Sequence, residues 1–69
     1  MSGHFLREAR RRAGLTQQVV ARRAGVSQSL VARIEGGEVE PSLERLLGLI
    51  RACGLDLQIY VTPLDEDAW

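Results

Sequence analysis

The apolar positions of this 69-residue chain change period once along its length. Between Leu15 and Gly37 the chain reads LTQQVVARRAGVSQSLVARIEGG: Val20, Ala21 and Ala24 share one helical face, Val31 and Ile34 share another, and Val26 joins them from the turn. Thr16 and Ser27 each stand just before a segment, where a side-chain oxygen can accept from free helix N–H groups. Neither is followed three residues later by Glu or Gln, so the reciprocal capping box is incomplete. Small Ala21 and Ala24 permit close helix approach, and Gly25 provides a turn position where positive φ is free of a Cβ clash. The pattern predicts helices over about Gln17 to Ala24 and Gln28 to Glu35, preceded by one from about His4 to Ala13 that Gly14 stops. A fourth follows Pro41-Ser42, with Leu43, Leu46, Leu47, Ile50 and Cys53 as its expected buried stripe and Gly54 as its end.

From Leu55 the period becomes two. Leu55, Leu57, Ile59 and Val61 alternate with Asp56, Gln58, Tyr60 and Thr62, the mark of a β-strand with one buried face. A lone strand leaves its N–H and C=O groups unpaired on both edges, and pairing with the same strand of a second copy about a two-fold axis satisfies them. That solution predicts a dimer, with Leu55, Leu57, Ile59 and Val61 facing the interface. The other solution is an extended tail lying on the fourth helix of its own chain. The expected fold class is therefore all-α with one C-terminal β-strand. Residues 1–54 are expected to form a four-helix domain that holds the paired helices and binds DNA, 55–62 a dimerisation strand, and 63–69 an acidic flexible tail.

Composition agrees with one small domain, since 45% hydrophobic content can form a core while burying only about 60% of the unfolded surface. The apolar runs are too short for a membrane span, and no apolar stretch of signal-peptide length opens the chain, so a cytoplasmic location is expected. With one cysteine and one histidine, neither a disulfide framework nor a Cys/His metal site can be assembled, and Cys53 is read as core filler. No catalytic grouping, phosphate loop or cofactor motif is recognisable, so no enzyme and no cofactor are expected. Net charge is zero, yet residues 1–34 carry +6 and residues 35–69 carry −6. A basic half that holds the paired helices suits a phosphate-facing surface.

Two short helices crossing at a Gly-containing turn form a helix-turn-helix pattern, which points to DNA. Several elements stand in register: Arg10 and Ala13-Gly14-Leu15-Thr16-Gln17 before it, Ala21 and Gly25-Val26-Ser27-Gln28 inside it, and Ile34-Glu35-Gly36-Gly37 with Pro41-Ser42-Leu43 after it. On these residues the stretch from about Leu6 to Gly54 resembles the Xre or Cro family of phage and bacterial repressors. The chain departs from that family at Val19 and Val20, where Glu and Leu are preferred, and at Gly36, often Asn or Arg. The resemblance implies a lambda-repressor-like four-helix domain and a structural pairing of Arg10 with Glu35. The alternating segment after four helices looks like HipB-type antitoxins, which implies a dimer formed through an intermolecular antiparallel β-ribbon. It further implies autoregulation of an operon and a toxin partner, typically kinase-like. The alternative is a stand-alone regulator without a toxin.

In a helix-turn-helix the second helix enters the major groove N-terminus first, which puts Gln28, Ser29, Ala32 and Arg33 at base edges. Gln suits adenine, Arg suits guanine, Ser suits several bases, and Ala can touch a thymine methyl. Leu30 is open between core filling and groove contact. Gln17, Ser27 and the adjacent helix N–H groups are expected on phosphates, helped by Arg11 or Arg22. A two-fold dimer then matches a palindromic operator whose half-sites lie about 34 Å apart. Trp69, the only indole, follows Asp65-Glu66-Asp67-Ala68 and is a candidate anchor for the toxin, as against an incidental end residue.

Overall fold

Three hydroxyls start three of the helices. In the computed structural model, which describes residues 2–64, the order is α1 Ser2–Arg12, α2 Gln17–Ala24, α3 Gln28–Glu35 and α4 Leu43–Ala52. Thr16 Oγ1 accepts from the Val19 N–H at 3.2 Å, Ser27 Oγ from Leu30 at 3.1 Å, and Ser42 Oγ from Arg45 at 3.1 Å. Each cap satisfies a donor that the first helical turn leaves free, worth about 1 kcal/mol. The α2 to α3 turn closes as the sequence suggests. Gly25 sits at φ 70°, its N–H reaches the Arg22 carbonyl at 3.3 Å, and the Val26 N–H reaches the Ala21 carbonyl at 3.0 Å. This pair of bonds is the Schellman arrangement, and it redirects the chain while carrying Val26 back onto the core.

The core is a single cluster drawn from all four helices. Leu6, Val20, Val31, Ile34 and Leu49 are the largest fully buried side chains, and Ala9, Ala21, Leu46, Ile50 and Cys53 join them. α3 packs on α1 and α2, and α4 packs on the same two helices from its own side. In α4 the buried stripe is Leu46, Leu49, Ile50 and Cys53, which corrects the expected one. Leu43 shares that face but lies in the first turn, where the other helices leave it 58% exposed, and Leu47 is only half-buried. Leu49 completes the i, i+3, i+4, i+7 repeat instead.

α1 begins two residues earlier than the sequence suggests, and those residues matter to the packing. Gly3 is buried against the end of α3. A Cβ there would collide with the Ile34 carbonyl oxygen and come within 3.0 Å of the Glu35 Cα, so backbone meets backbone at this point. Ser2 donates to the Glu40 carboxylate, tying the start of α1 to the loop after α3.

Residues 55–64 carry no regular secondary structure in the single chain, and no strand occurs among the described residues. A strand is one half of a hydrogen-bonded ladder, and the four helices that make up the rest of the described residues offer no edge to pair with. Leu57 packs against the core, whereas Leu55, Ile59 and Val61 are 41%, 61% and 96% exposed. The start of the segment runs beside α1 as well as α4. Leu55, Asp56 and Leu57, with Phe5, Ala9 and Ile50, line a groove of about 430 Å³. Asp65, Glu66, Asp67 and Trp69 lie outside the described residues. Among the described residues, no helix is long and apolar enough to cross a membrane.

Candidate nucleic-acid interface

α3 divides sharply by face. Val31, Ile34 and Glu35 are buried and Leu30 is half-buried against the core, while Gln28, Ser29, Ala32 and Arg33 are all exposed. At about 100° per residue the exposed four span an arc of roughly 140°. The packing settles Leu30 as a core contact of the free domain. It leaves the four expected base readers together, on one continuous side of a helix held firmly by its other side.

The end of α3 is fixed by a buried ion pair. Arg10 Nε donates to Glu35 Oε2 at 2.8 Å and Arg10 Nη2 to Glu35 Oε1 at 2.9 Å, a two-pronged contact between side chains that are 17% and 1% exposed. The third prong, Arg10 Nη1, donates to the Leu15 carbonyl at 3.1 Å, so one guanidinium joins α1, the loop before α2 and the last residue of α3. Arg7, one turn earlier, donates to the Glu35 backbone carbonyl at 3.3 Å and lies 3.6 Å from the carboxylate. That puts a cation at the negative end of the α3 dipole. Arg7 was not legible as a partner, although its i, i+3 spacing to Arg10 puts both on one face of α1.

Burial alone pushes the Glu35 carboxyl up, but hydrogen bonds from Arg10 and Gln17 and the charges of Arg10 and Arg7 outweigh it and hold the group below the usual carboxylate range. Arg10 is raised, chiefly by its hydrogen bond to Glu35 and against the opposing effect of burial. Burial pushes the Cys53 thiol up, as suits a small apolar filler.

The expected phosphate residues separate into two kinds. Arg11 and Arg22 are exposed, and neither pairs with a carboxylate among the described residues. Ser27 caps α3, which uses its oxygen as an acceptor and leaves its O–H to donate. Gln17, the first residue of α2, is half-buried, and its Nε2 donates to Glu35 Oε1 at 3.2 Å. This contact was not foreseen. Arg23 has a different task, donating to the Ala52 carbonyl at 3.4 Å at the end of α4.

A pair of capped helices crossing at a glycine turn, with the second helix buried on one side and polar on the other, defines a helix-turn-helix DNA-binding domain. The chain belongs to the helix-turn-helix domain family, which it matches over residues 3–58. No curated protein and no solved structure shows a significant match to it.

Proposed function

We propose that this DNA-binding regulator is a sequence-specific transcriptional repressor that acts as a homodimer on an inverted-repeat operator. The observation that carries the reading is the exposed side of α3. Gln28, Ser29, Ala32 and Arg33 have no packing role, and they lie on a helix whose other side is fixed by Val31, Ile34 and the Glu35 ion pair. Inserted in a major groove, Gln28 offers two bonds to adenine, Arg33 two to guanine, Ser29 an adaptable hydroxyl and Ala32 a methyl contact for thymine. Ser27, Gln17 and the exposed Arg11 and Arg22 bond phosphates and fix register. Six to ten such phosphate contacts per dimer would lower affinity by about 10³-fold or more between 50 and 200 mM salt.

The dimer rests on the segment 55–62. Of its alternating residues Leu57 packs on the core of its own chain, whereas Leu55, Ile59 and Val61 are exposed, and an antiparallel ribbon with a second copy would pair its backbone and cover them. The order of four helices and then an alternating apolar segment supports the narrower reading of an autoregulating antitoxin that also binds a toxin, with Trp69 as its anchor. A stand-alone regulator shares every feature of α3 and lacks only the toxin. Footprinting on the DNA upstream of the chain's own gene tests the repressor reading. Protection of an inverted repeat is expected, and uniform weak protection contradicts it. Titration of the neighbouring gene product against wild type and a Trp69 deletion separates antitoxin from stand-alone regulator.

A further inference from the structure

We propose that Glu35 is a positioning residue for DNA contact: through its carboxylate it sets the amide of Gln17 so that one N–H is free for a phosphate at the start of α2. The inference rests on the DNA-binding reading above and assigns to the buried ion pair a task beyond joining helices.

The geometry starts from the acceptor. An ionised carboxylate accepts and never donates, so a glutamine beside it must present nitrogen and not oxygen. Gln17 Nε2 meets Glu35 Oε1 at 3.2 Å, the same oxygen that takes Arg10 Nη2 at 2.9 Å. One amide N–H is thereby used and the amide plane fixed, while the second N–H is left over. Gln17 is half-buried and opens α2, directly after Thr16, whose hydroxyl caps the helix. An ordinary surface glutamine samples both amide orientations and several rotamers, and would lose that freedom on binding. Here the loss is met in the fold. Glu35 is itself immobilised by two bonds from Arg10 and by Arg7, and it is the last residue of the helix that carries Gln28 and Arg33. A phosphate bonded by Gln17 is therefore linked through one carboxylate to the placement of α3.

The test uses the full chain and a duplex that the wild type enriches from a random pool, with ethylation interference to map its phosphates. Gln17→Met should silence one phosphate. Glu35→Gln keeps the shape of residue 35 but removes the charge that orients the amide. It should silence that same phosphate, weaken binding about threefold to tenfold, and leave interference elsewhere unchanged. If Glu35→Gln weakens every phosphate evenly and spares none in particular, Glu35 only joins helices and the proposal is overturned. A measurement on the wild type covers the case of a variant that does not fold. In the free protein, one Gln17 side-chain amide proton should exchange with solvent more slowly than those of exposed Gln18, and the other should shift when the duplex is added. Equal, fast exchange of both Gln17 protons overturns the proposal. Failure to enrich any duplex overturns the DNA reading first, and this inference with it.

Discussion

The four-helix body and the segment after it obey the same chemistry and end differently. In the body, apolar residues at helical spacing find one another, each helix supplies its own backbone bonds, and the one buried acid meets Arg10, Arg7 and Gln17. Among the described residues no buried side-chain polar atom lacks a partner. In residues 55–64 the alternation is equally regular, yet Ile59, Tyr60, Val61 and Leu64 remain largely exposed. A helix closes its hydrogen bonds within itself and needs neighbours only for its side chains, whereas a strand needs a neighbour for its backbone as well. Pattern alone can thus complete the first region inside one chain and only announce the second.

The largest effect that would break this contrast lies at the ion pair. Arg10→Ala takes from the buried Glu35 carboxylate its two shortest bonds and leaves it only Arg7 and Gln17, and a loss of about 3 kcal/mol is expected in urea unfolding, a large share of a small domain's stability. A cost under 1 kcal/mol would mean the pair is merely a surface contact. Because Glu35 titrates lower in the folded chain than in the unfolded one, its contribution is complete above the ordinary carboxylate range. It is lost as pH falls through the depressed value, so the unfolding midpoint should decline on the acid side and do so less in Glu35→Gln. Gly3→Ala comes next, at about 1–3 kcal/mol, because the new methyl has the α3 backbone in its way. Unchanged stability there would show that α1 and α3 do not meet so closely.

Two surface leucine-like positions sharpen the comparison further. Leu43 and Ile59 are about equally exposed, at 58% and 61%. Leu43→Asp should alter neither stability beyond about 0.5 kcal/mol nor mass in solution. Ile59→Asp should halve the mass, and a monomeric wild type would remove the ribbon from the reading. The smallest effects on folding belong to α3, where Gln28→Ala and Arg33→Ala should each lose about 1–3 kcal/mol on the cognate duplex and relax preference at one base pair. Equal loss on all duplexes would reduce them to phosphate contacts.

Much of this is legible in the sequence. Caps at Thr16 and Ser27, the stop at Gly25 and the bounds of α2 and α3 follow from local chemistry that acts within a few residues, and the structure keeps them. The Arg10 to Glu35 pair, implied by resemblance, forms as a two-pronged contact. Leu43 was misjudged because periodicity gives the face of a helix but not how far along it neighbours extend. Gly3 and the Gln17 to Glu35 bond were missed for a related reason, since both depend on where α1 and α2 sit against the end of α3, and no spacing within one segment encodes that. The task of the exposed side of α3 is legible as chemistry, not as a particular operator, because four side chains can match several base sequences.

Selection from a random duplex pool, followed by the same selection with Gln28→Ala, bears most directly on α3 as a paired reader of bases. Wild type should enrich an inverted repeat with half-sites about one helical turn apart, and the variant should lose preference at one position in each half. Enrichment of no motif, or of one that Gln28→Ala leaves unchanged along with Arg33→Ala, would contradict it.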